Sequence, residues 1–313
     1  MRALVTGGAG FIGSNLVDAL LDRGDEVVVV DDLSSGKESN LAGALERGAV
    51  LHRADIRDGE ALAALFAAAA PEVVFHLAAQ IDVRVSVDRP AFDARTNVEG
   101  TVNVLEGARR AGARRVVFSS TGGAIYGETD VVPTPEDHPA QPMAGYGTSK
   151  LCAEQYLGLY ERLHGLSTVA LRFGNVYGPR QDPHGEAGVI AIFCGRFAQG
   201  ARPTVFGDGR QTRDYIYVGD LVEAILAAGD SEVRGAINIG TEQETSLLEL
   251  IDAFKAVGER PDFEPEFADA RLGEIERSCL AVGRAREVLG WTPAVDVREG
   301  IARTLASVPA AQA

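Results

Sequence analysis

The sequence predicts an α/β fold built on a doubly wound parallel sheet, with a smaller α/β domain after it, and three observations support this prediction. Short apolar, β-branched runs alternate with stretches of helical periodicity through the first half of the chain. A glycine-rich turn follows the first of these runs. The 313 residues suffice for one large domain with a smaller partner. Strand–helix–strand repeats form parallel sheets because each crossover helix returns the chain to the edge where it started.

The predicted elements alternate regularly as far as residue 174. The predicted strands are Leu4–Thr6, Val27–Asp31, Val73–Leu77, Val116–Ser119 and Ser167–Arg172. The helices among them are predicted at Phe11–Arg23, Glu60–Ala70, Val98–Ala111 and from near Ser149 to His164. Beyond Asn175 the alternation is lost, and helical periodicity returns at Val189–Gln199, Val218–Ala228, Leu247–Val257 and Ala281–Leu289. We therefore predict a first domain of residues 1–174 and a smaller domain of residues 175–313 that partly re-enters the first.

Composition argues against several classes of partner. The chain has 30 basic and 45 acidic residues, a formal charge of −15, whereas nucleic acid binding needs a basic surface. Three distant cysteines and five scattered histidines predict neither a disulfide framework nor a metal site. The longest apolar run, Ala61–Ala70, has ten residues, too few to cross a bilayer, and the N-terminus does not resemble a signal peptide. We expect a cytoplasmic protein with no nucleic acid, membrane or metal partner.

A glycine-rich turn joins the first predicted strand to the first helix. Glycines stand at positions 7, 10 and 13 of the stretch TGGAGFIG, and Phe11 and Ile12 open the helix. Residues without a Cβ permit the tight turn, the close approach of a pyrophosphate to the backbone, and the packing of helix on strand. The free N–H groups at the start of the helix attract phosphate oxygens. The spacing of Gly7, Gly10 and Gly13 therefore predicts a dinucleotide site of the Rossmann type.

An acidic pair ends the second predicted strand and bears on the choice of dinucleotide. Asp31, followed by Asp32, lies 18 residues after Gly13, where a carboxylate can accept both ribose hydroxyls. A carboxylate at this position repels the 2′-phosphate of NADP, so we predict NAD as the cofactor. Lys37 and Arg53 lie close in sequence, and either cation could offset this preference.

Tyr146 and Lys150 lie four residues apart, so a helix would place them one above the other on one face. A nearby ammonium stabilises a phenolate, and we therefore predict that Lys150 lowers the pKa of Tyr146 enough to make it a base near neutral pH. The spacing alone is common by chance and also suits an ordinary surface helix. Two further features favour a catalytic role: the dinucleotide motif, and the hydroxyl run Ser119-Ser120-Thr121 at the end of an upstream strand.

Together these motifs resemble the extended short-chain dehydrogenase/reductase family, and within it the branch of UDP-glucose 4-epimerases. The resemblance extends from Thr6 to Trp291. It implies that residues 1–174 bind NAD and that residues 175–313 bind the substrate, a nucleoside-diphosphate sugar. It implies the catalytic residues Thr121, Tyr146 and Lys150. The cofactor-binding residues that it implies are Gly7, Gly10, Phe11, Ile12, Gly13, Asp31, Asp32, Asp55, Ile56, Leu77, Ala78, Ala79, Asn97, Ser119, Tyr146 and Lys150.

The resemblance also implies individual roles at the two ends of the site. Asp55-Ile56 contacts the adenine, Leu77–Ala79 passes under the phosphates, and Asn97 opens a helix behind the active site. Arg213 and Arg271 bind the substrate diphosphate, because the arginine fork suits phosphate. In the same resemblance Asn175 donates to a phosphate, Glu274 accepts from the nucleoside ribose, and Val189 and Phe206 frame the base. The implied substrate-binding residues are Thr121, Asn175, Val189, Phe206, Arg213, Arg271, Glu274 and Ser278.

The residues after Thr121 separate the reactions of this family. Dehydratases place Asp-Glu there and decarboxylases place Glu, whereas this chain has Gly122-Gly123. Without a carboxylate, elimination lacks its acid and base, and epimerisation needs neither. The resemblance therefore implies that Tyr146 takes the proton of the sugar 4-hydroxyl and that NAD accepts and returns a hydride through a 4-keto sugar. The glycine pair leaves open whether Ser120 or Thr121 is the hydroxyl partner.

Several alternatives remain at this point. The sugar could be glucose, glucuronate or an N-acetyl sugar, carried on UDP or dTDP. The resemblance places Ser278 where a large side chain would restrict the sugar, so its small size predicts room for an N-acetyl group. A 4,6-dehydratase and a catalytically silent NAD-sensing protein are less favoured readings of the same fold. The resemblance also implies a homodimer that buries helices near residues 98–111 and 150–164 of both subunits.

Overall fold

The computed structural model describes residues 1–183, 188–270 and 275–308. Its strands are β1 (Arg2–Thr6), β2 (Glu26–Asp31), β3 (Val50–Arg53), β4 (Val73–His76), β5 (Arg115–Thr121), β6 (Ser167–Phe173), β7 (Asn175–Tyr177), β8 (Thr204–Phe206), β9 (Thr212–Arg213), β10 (Tyr215–Tyr217), β11 (Gly235–Ile239), β12 (Thr245–Ser246) and β13 (Glu266–Ala268). Its helices are α1 (Phe11–Asp22), α2 (Ala42–Glu46), α3 (Gly59–Ala69), α4 (Val83–Asp88), α5 (Pro90–Ala94), α6 (Gly100–Ala111), α7 (Gly122–Ile125), α8 (Gly145–His164), α9 (Val189–Ala198), α10 (Val218–Asp230), α11 (Leu247–Val257), α12 (Gly283–Leu289) and α13 (Val297–Ser307). A 3-10 turn at Glu38–Leu41 precedes α2, and a π-helical turn at Arg95–Glu99 joins α5 to α6.

Seven parallel strands form the central sheet in the order β11–β6–β5–β4–β1–β2–β3. β1 pairs with β2 on one side and with β4 on the other, so the direction of winding reverses between β1 and β4. In doubly wound sheets, ligands bind outside the carboxyl ends of the strands at such a switch point. The predicted Rossmann-type fold is confirmed, and the candidate site is expected at this edge.

Two strands of this sheet are absent from the prediction made on sequence. β3 is short and mostly exposed, so it shows no buried apolar run. β11 lies in the second half of the chain and pairs with β6, so residues beyond 174 contribute to the first sheet. Helix α8 begins at Gly145 rather than near Ser149. Helix α13 was not predicted on sequence, because much of it is polar.

Alternation along the strands divides the apolar residues between the two faces of the sheet. In β1, Ala3 and Val5 pack into the larger cluster with α1 and α10, whereas Leu4 packs on the opposite face with α3 and α6. A third cluster lies in the second half of the chain, around Phe193 and Phe254, whose ring centroids are 5.9 Å apart. Burial on both faces is what makes the central strands read as continuous apolar runs.

Residues 1–183, 188–270 and 275–308 contain neither a membrane-spanning helix nor a cluster of metal ligands. None of the helices there combines the length and apolarity that crossing a bilayer requires. The same residues contain no group of three or more His, Cys, Asp or Glu side chains placed to hold a metal ion.

Candidate active site

The glycine turn has no space for side chains. Gly7 has a φ of +71°, and a Cβ there would lie 2.6 Å from the backbone nitrogen of Ala78. A Cβ on Gly13 would lie 2.1 Å from the carbonyl oxygen of Gly7. Helix α1 begins at Phe11 with Gly10 as its N-cap, and within the described chain no side chain caps it and no acid lies in its first turn. The first N–H groups of α1 therefore remain for an anion, which fits the diphosphate of a dinucleotide.

Asp31 is buried at the end of β2, beside this turn. Its carboxylate accepts the backbone N–H of Ala9 at 2.9 Å and that of Leu33 at 2.9 Å, so it also stabilises the glycine turn. Burial raises the pKa of Asp31. Each carboxylate oxygen has a second lone pair, so both could still accept ribose hydroxyls. Asp32 is exposed and accepts the N–H of Ser34, so the two acids are in different environments.

The two cations near Asp31 in sequence are engaged by acids. Lys37 pairs with Asp182 at 2.5 Å, and Arg53 pairs with Glu38. Neither side chain is therefore left as a ready partner for a 2′-phosphate. Both ion pairs are exposed and individually weak, so the buried carboxylate at the end of β2 remains the stronger influence.

Asp55 and Ile56 follow β3, and their side chains lie in different environments. The Asp55 carboxylate accepts from Arg57 Nε at 2.9 Å, and this pairing lowers the pKa of Asp55. Ile56 is buried, and a Cβ on Gly100 of α6 would lie 2.6 Å from its Cδ1. The contact of Asp55 and Ile56 with adenine stays a prediction, since the structure shows only that they lie beyond the end of β3.

A chain of hydrogen bonds at the carboxyl ends of β1 and β4 centres on His76, which the sequence analysis did not select as a site residue. The N–H of Ala78 donates to Thr6 Oγ1 at 3.2 Å, and Thr6 Oγ1 lies 2.7 Å from His76 Nδ1. His76 Nε2 lies 3.0 Å from Thr101 Oγ1, which donates to the Asn97 carbonyl at 2.6 Å. Burial lowers the pKa of His76 to about 3, so the imidazole is neutral. This chain joins the ends of β1 and β4 to the helix that carries Asn97.

Asn97 lies in the π-helical turn and fixes the loop that follows β4. Its Oδ1 accepts the N–H of Gln80 at 2.8 Å, and its Nδ2 donates to the Gln80 carbonyl at 2.9 Å. Nδ2 also lies 3.1 Å from Ser149 Oγ and 3.1 Å from Asp93 Oδ1. Asp93 was not predicted as a site residue. It is buried, and its position one helical turn before Asn97 is the feature of the sequence that could have identified it. The bonds from Asn97 fix Gln80 and, with it, the preceding segment Leu77–Ala79, which lies against Gly7.

The hydroxyl run at the end of β5 divides between two faces of the strand. The Thr121 hydroxyl lies near the Tyr146 phenol and acts to lower its pKa. Ser120 Oγ instead donates to Glu154 at 2.5 Å. Lys150 Nζ donates to the Ser119 carbonyl at 2.8 Å and lies 6.0 Å from the Tyr146 ring centroid. Of the two alternatives left by the sequence, the geometry therefore favours Thr121 as the hydroxyl partner.

The prediction that Lys150 lowers the pKa of Tyr146 is wrong in this structure. Burial raises the pKa of Tyr146 to about 12, although the nearby Thr121 hydroxyl acts in the opposite direction. Burial also lowers the pKa of Lys150 to about 7, with Asp93 and Glu154 opposing that change. Desolvation is the largest influence on the pKa of each group. Tyr146 therefore needs further positive charge nearby to act as a base near neutral pH.

Arg213 and Ser278 meet at one backbone carbonyl. Arg213 Nη1 donates to the Thr212 carbonyl at 2.8 Å, and the N–H of Ser278 donates to the same carbonyl at 3.2 Å. Asp214, next in sequence, is buried and accepts the N–H of Thr241 at 2.7 Å. Burial raises the pKa of Asp214. Asp214 also accepts from the backbone of residues 242 and 280, so it holds the Arg213 strand in place, a role that its position in the RDYIYV stretch did not reveal.

Asn175 begins β7, which pairs with β10, and lies near the turn that follows Thr121. Its N–H donates to the Asp214 carbonyl at 2.7 Å, in the pair of strands β7 and β10. A Cβ on Gly123 would lie 3.6 Å from Asn175 Oδ1. The structure therefore places the Asn175 amide beside the turn that follows Thr121.

The remaining predicted substrate residues are less closely connected. Val189 opens α9 and packs against the third apolar cluster. Phe206 ends β8. Its carbonyl accepts from Nε2 of Gln211 at 3.0 Å, and Gln211 lies two residues before Arg213 in the chain. Arg271 and Glu274 lie outside the described residues.

A glycine turn open to a diphosphate at the start of α1, and a tyrosine near a hydroxyl at the end of β5, fit a nicotinamide-dependent enzyme. A sequence model of the NAD dependent epimerase/dehydratase family matches residues 3–240. The chain belongs to this family, and NAD is its cofactor. The recognition made on sequence and the cofactor prediction are confirmed.

Individual relatives are similar over almost the whole chain. The UDP-glucose 4-epimerase of Mycolicibacterium smegmatis is 51% identical over 97% of this chain and 97% of its own. The Thermotoga maritima UDP-glucose 4-epimerase, solved with UDP-glucose, has a TM-score of 0.94 at 45% identity and 98% coverage of both chains. The Thermus thermophilus UDP-glucose 4-epimerase, solved with NAD, has a TM-score of 0.91 at 43% identity and 98% coverage of both chains.

Proposed function

We propose that this enzyme interconverts UDP-glucose and UDP-galactose by inverting C4 through a transient 4-keto sugar. The observation that carries the proposal is the Thr121 hydroxyl near the Tyr146 phenol, with two glycines instead of carboxylates after Thr121. The similar UDP-glucose 4-epimerases, matched over 97–98% of the chain, support the choice of substrate.

In this proposal the chain's own residues move a proton and orient the sugar. Tyr146 accepts the proton of the 4-hydroxyl, which Thr121 orients from the end of β5. Lys150, held by its bond to the Ser119 carbonyl at 2.8 Å, supplies a cation beside the phenolate. NAD, when bound, supplies the hydride acceptor and a further positive charge. That charge favours the phenolate, as a tyrosine with a pKa of about 12 requires.

A dehydratase is disfavoured by packing as well as by sequence. Gly122 is buried, and a Cβ there would lie 2.4 Å from Leu280 Cδ1. An acidic side chain at this position would have to displace Leu280 from the core. A larger side chain at position 122 therefore requires Leu280 to shift.

The proposed substrate grip combines a cation with backbone-anchored polar groups. Arg213 and Ser278 share the Thr212 carbonyl, and Asn175 reaches the turn after Thr121. We propose that Arg213 binds the diphosphate and that Asn175 donates to it, while the sugar turns above the catalytic pair. Val189 and Phe206 would frame the base, and Arg271 and Glu274 keep the roles that the family resemblance implies.

The test is NMR of the purified protein incubated with UDP-glucose and no added NAD. We expect the anomeric signal of UDP-galactose to appear and to stop at a mixture of the two sugars, because the cofactor is regenerated in each turnover. UDP-N-acetylglucosamine is tested in parallel, and we expect turnover of it too because Ser278 is small.

Each outcome assigns a substrate. Turnover of UDP-glucose alone would refute the role given to Ser278. If UDP-glucose stays unchanged even with NAD supplied, UDP-glucuronate, UDP-N-acetylglucosamine and dTDP-sugars become the candidates. If all of them stay inert while NAD binds, the silent NAD-binding protein is the better description.

We also propose a homodimer that buries the surface between α6 and α8. A groove there is lined by residues of the π-helical turn, α6 and α8, among them Val98, Val102, Cys152 and Tyr156. Two valines and an aromatic ring at one groove between two helices suit a second copy of the same helices. A cytoplasmic location completes the proposal, since all three cysteines are free thiols, as reducing compartments favour.

The dimer is tested by sedimentation equilibrium of a Val102→Glu variant. We expect the wild type at twice the 33.0 kDa chain mass and the variant at the monomer mass, because a buried unpaired carboxylate opposes association. Val87→Glu is the control, since Val87 is 64% exposed on α4 and lies outside the groove. A variant that stays dimeric at low micromolar concentration would place the interface elsewhere.

A further inference from the structure

A buried ion pair lies one helical turn beyond Lys150 on α8. Glu154 Oε2 accepts from Arg172 Nη2 at 2.7 Å, and the side chains of both residues are 8% exposed. Glu154 Oε1 accepts from Arg172 Nε at 3.0 Å and from Ser120 Oγ at 2.5 Å. The glutamate therefore receives three donors, two of them in the parallel arrangement that suits a guanidinium.

Arg172 extends this contact to three other parts of the fold. Its Nη1 donates to the Tyr126 hydroxyl at 2.8 Å and to the Glu136 carbonyl at 3.2 Å. The Tyr126 hydroxyl donates to Asn238 Oδ1 at 2.7 Å, on β11. The ion pair thus joins β6, α8, the turn after β5 and the last strand of the sheet.

The hydrogen bond between Ser120 and Glu154 bears directly on the distance between Thr121 at the end of β5 and Tyr146 on α8. Side chains alternate along a strand, so Ser120 faces Glu154 while Thr121 faces Tyr146. Tyr146 and Glu154 lie on the same helix, eight residues and therefore about 80° apart around its axis. One strand end and one helix are consequently joined twice, once through the reacting hydroxyls and once through the carboxylate.

We propose that Glu154 is a positioning residue: its contacts to Ser120 and Arg172 hold helix α8, which carries the base, at a fixed distance from the end of β5. This inference rests on the proposed epimerase reaction, because it concerns the geometry of the same hydroxyl pair. Glu154 itself does not touch the reacting atoms. Small displacements of reacting groups reduce rates strongly, so the fixed distance matters for turnover.

Glu154 also belongs to the charges around Lys150. The groups that face Lys150 are Asp93 from α5, Tyr146 and Glu154 from α8, and His76 from β4, with Arg172 of β6 behind Glu154. Asp93 and Glu154 raise the pKa of Lys150 against the effect of burial. Replacing Glu154 by Gln removes a negative charge and leaves Arg172 unpaired, and both changes favour loss of the Lys150 proton at lower pH.

The test compares the holoenzyme with Glu154→Gln, an isosteric change. We expect kcat to fall about 10- to 100-fold with little change in KM, because geometry rather than substrate binding is disturbed. We expect the basic limb of the kcat–pH profile to move down by about one pH unit. The dissociation constant of NAD should rise several-fold, since Lys150 moves with the helix. Glu161→Gln is the matched control, on the same helix but in an exposed pair with Arg234, and should leave all three quantities unchanged.

A double variant separates positioning from simple loss of stability. Glu154→Gln with Arg172→Met removes both buried charges, so the melting temperature should recover toward that of the wild type. We expect kcat to stay low, because a neutral amide binds Ser120 more weakly than a carboxylate does and the contact to Arg172 is absent. Recovery of kcat together with the melting temperature would overturn the inference, as would a single variant with wild-type kcat. If the wild type leaves UDP-glucose unchanged, the substrate proposal fails, and the NAD dissociation constants of the same variants decide the positioning role.

Discussion

Replacing Tyr146 by Phe should reduce turnover of UDP-glucose by about 10²- to 10⁴-fold while NAD stays bound. The change removes one oxygen, which lies near the Thr121 hydroxyl and takes the proton in the proposed reaction. The ring itself remains, so the packing beside Lys150 is largely preserved. Initial rates by NMR and the NAD content of the denatured protein measure the two expectations separately.

Tyr160→Phe is the control for that substitution. Tyr160 lies on the same helix, and its hydroxyl donates to Glu106 Oε2 at 3.3 Å, away from the site. The same atom is removed, and we expect wild-type turnover. Near-normal turnover in Tyr146→Phe would exclude the phenol as the base. Loss of NAD together with turnover would show that the effect is structural.

Local motifs were predictable because they are written in consecutive residues. The glycine turn at positions 7–13 follows from the fact that a Cβ at Gly7 or Gly13 would collide with backbone. The alternation of strands and helices follows from burial on both faces of the sheet. Tyr146 and Lys150 were found by helical spacing, which depends only on the geometry of one element.

Contacts between distant segments were not predictable from the same patterns. Helical spacing places Glu154 on the face of Lys150, yet nothing local shows that Arg172 of β6 would meet it. His76 reads as a buried residue of a strand until the sheet order brings Thr6 and Thr101 to either side of it. β11 completes the sheet from the second half of the chain, where no alternating pattern marks it.

The incorrect pKa prediction has the same origin. Sequence shows that a cation is near Tyr146, which favours the phenolate, but it does not show how much water the site excludes. In the structure, burial acts on both groups and raises the pKa of Tyr146 to about 12 while lowering that of Lys150 to about 7. Desolvation depends on the packed neighbours of a site, and those come from separate segments of the chain here.

A methyl group on Gly13 should remove the cofactor. In Gly13→Ala, the new Cβ would lie 2.1 Å from the Gly7 carbonyl oxygen and 2.7 Å from the Gly8 Cα, so helix α1 must move away from the turn. Overpacking of this kind costs about 1–3 kcal/mol or more, because backbone rather than a flexible side chain must shift. We expect NAD well below one equivalent per chain and a melting temperature lowered by several degrees, measured on the protein as purified.

Gly283→Ala separates the loss of a glycine from the loss of this particular glycine. Gly283 opens α12, and a Cβ there meets nothing within 4 Å, so the substitution should be neutral or slightly stabilising. Full NAD content in Gly13→Ala would mean that α1 can shift without disturbing the diphosphate, and the close approach of backbone to cofactor would not be what this turn provides. Loss of NAD at a nearly unchanged melting temperature would instead locate the whole effect at the start of α1, where the glycine spacing predicts it.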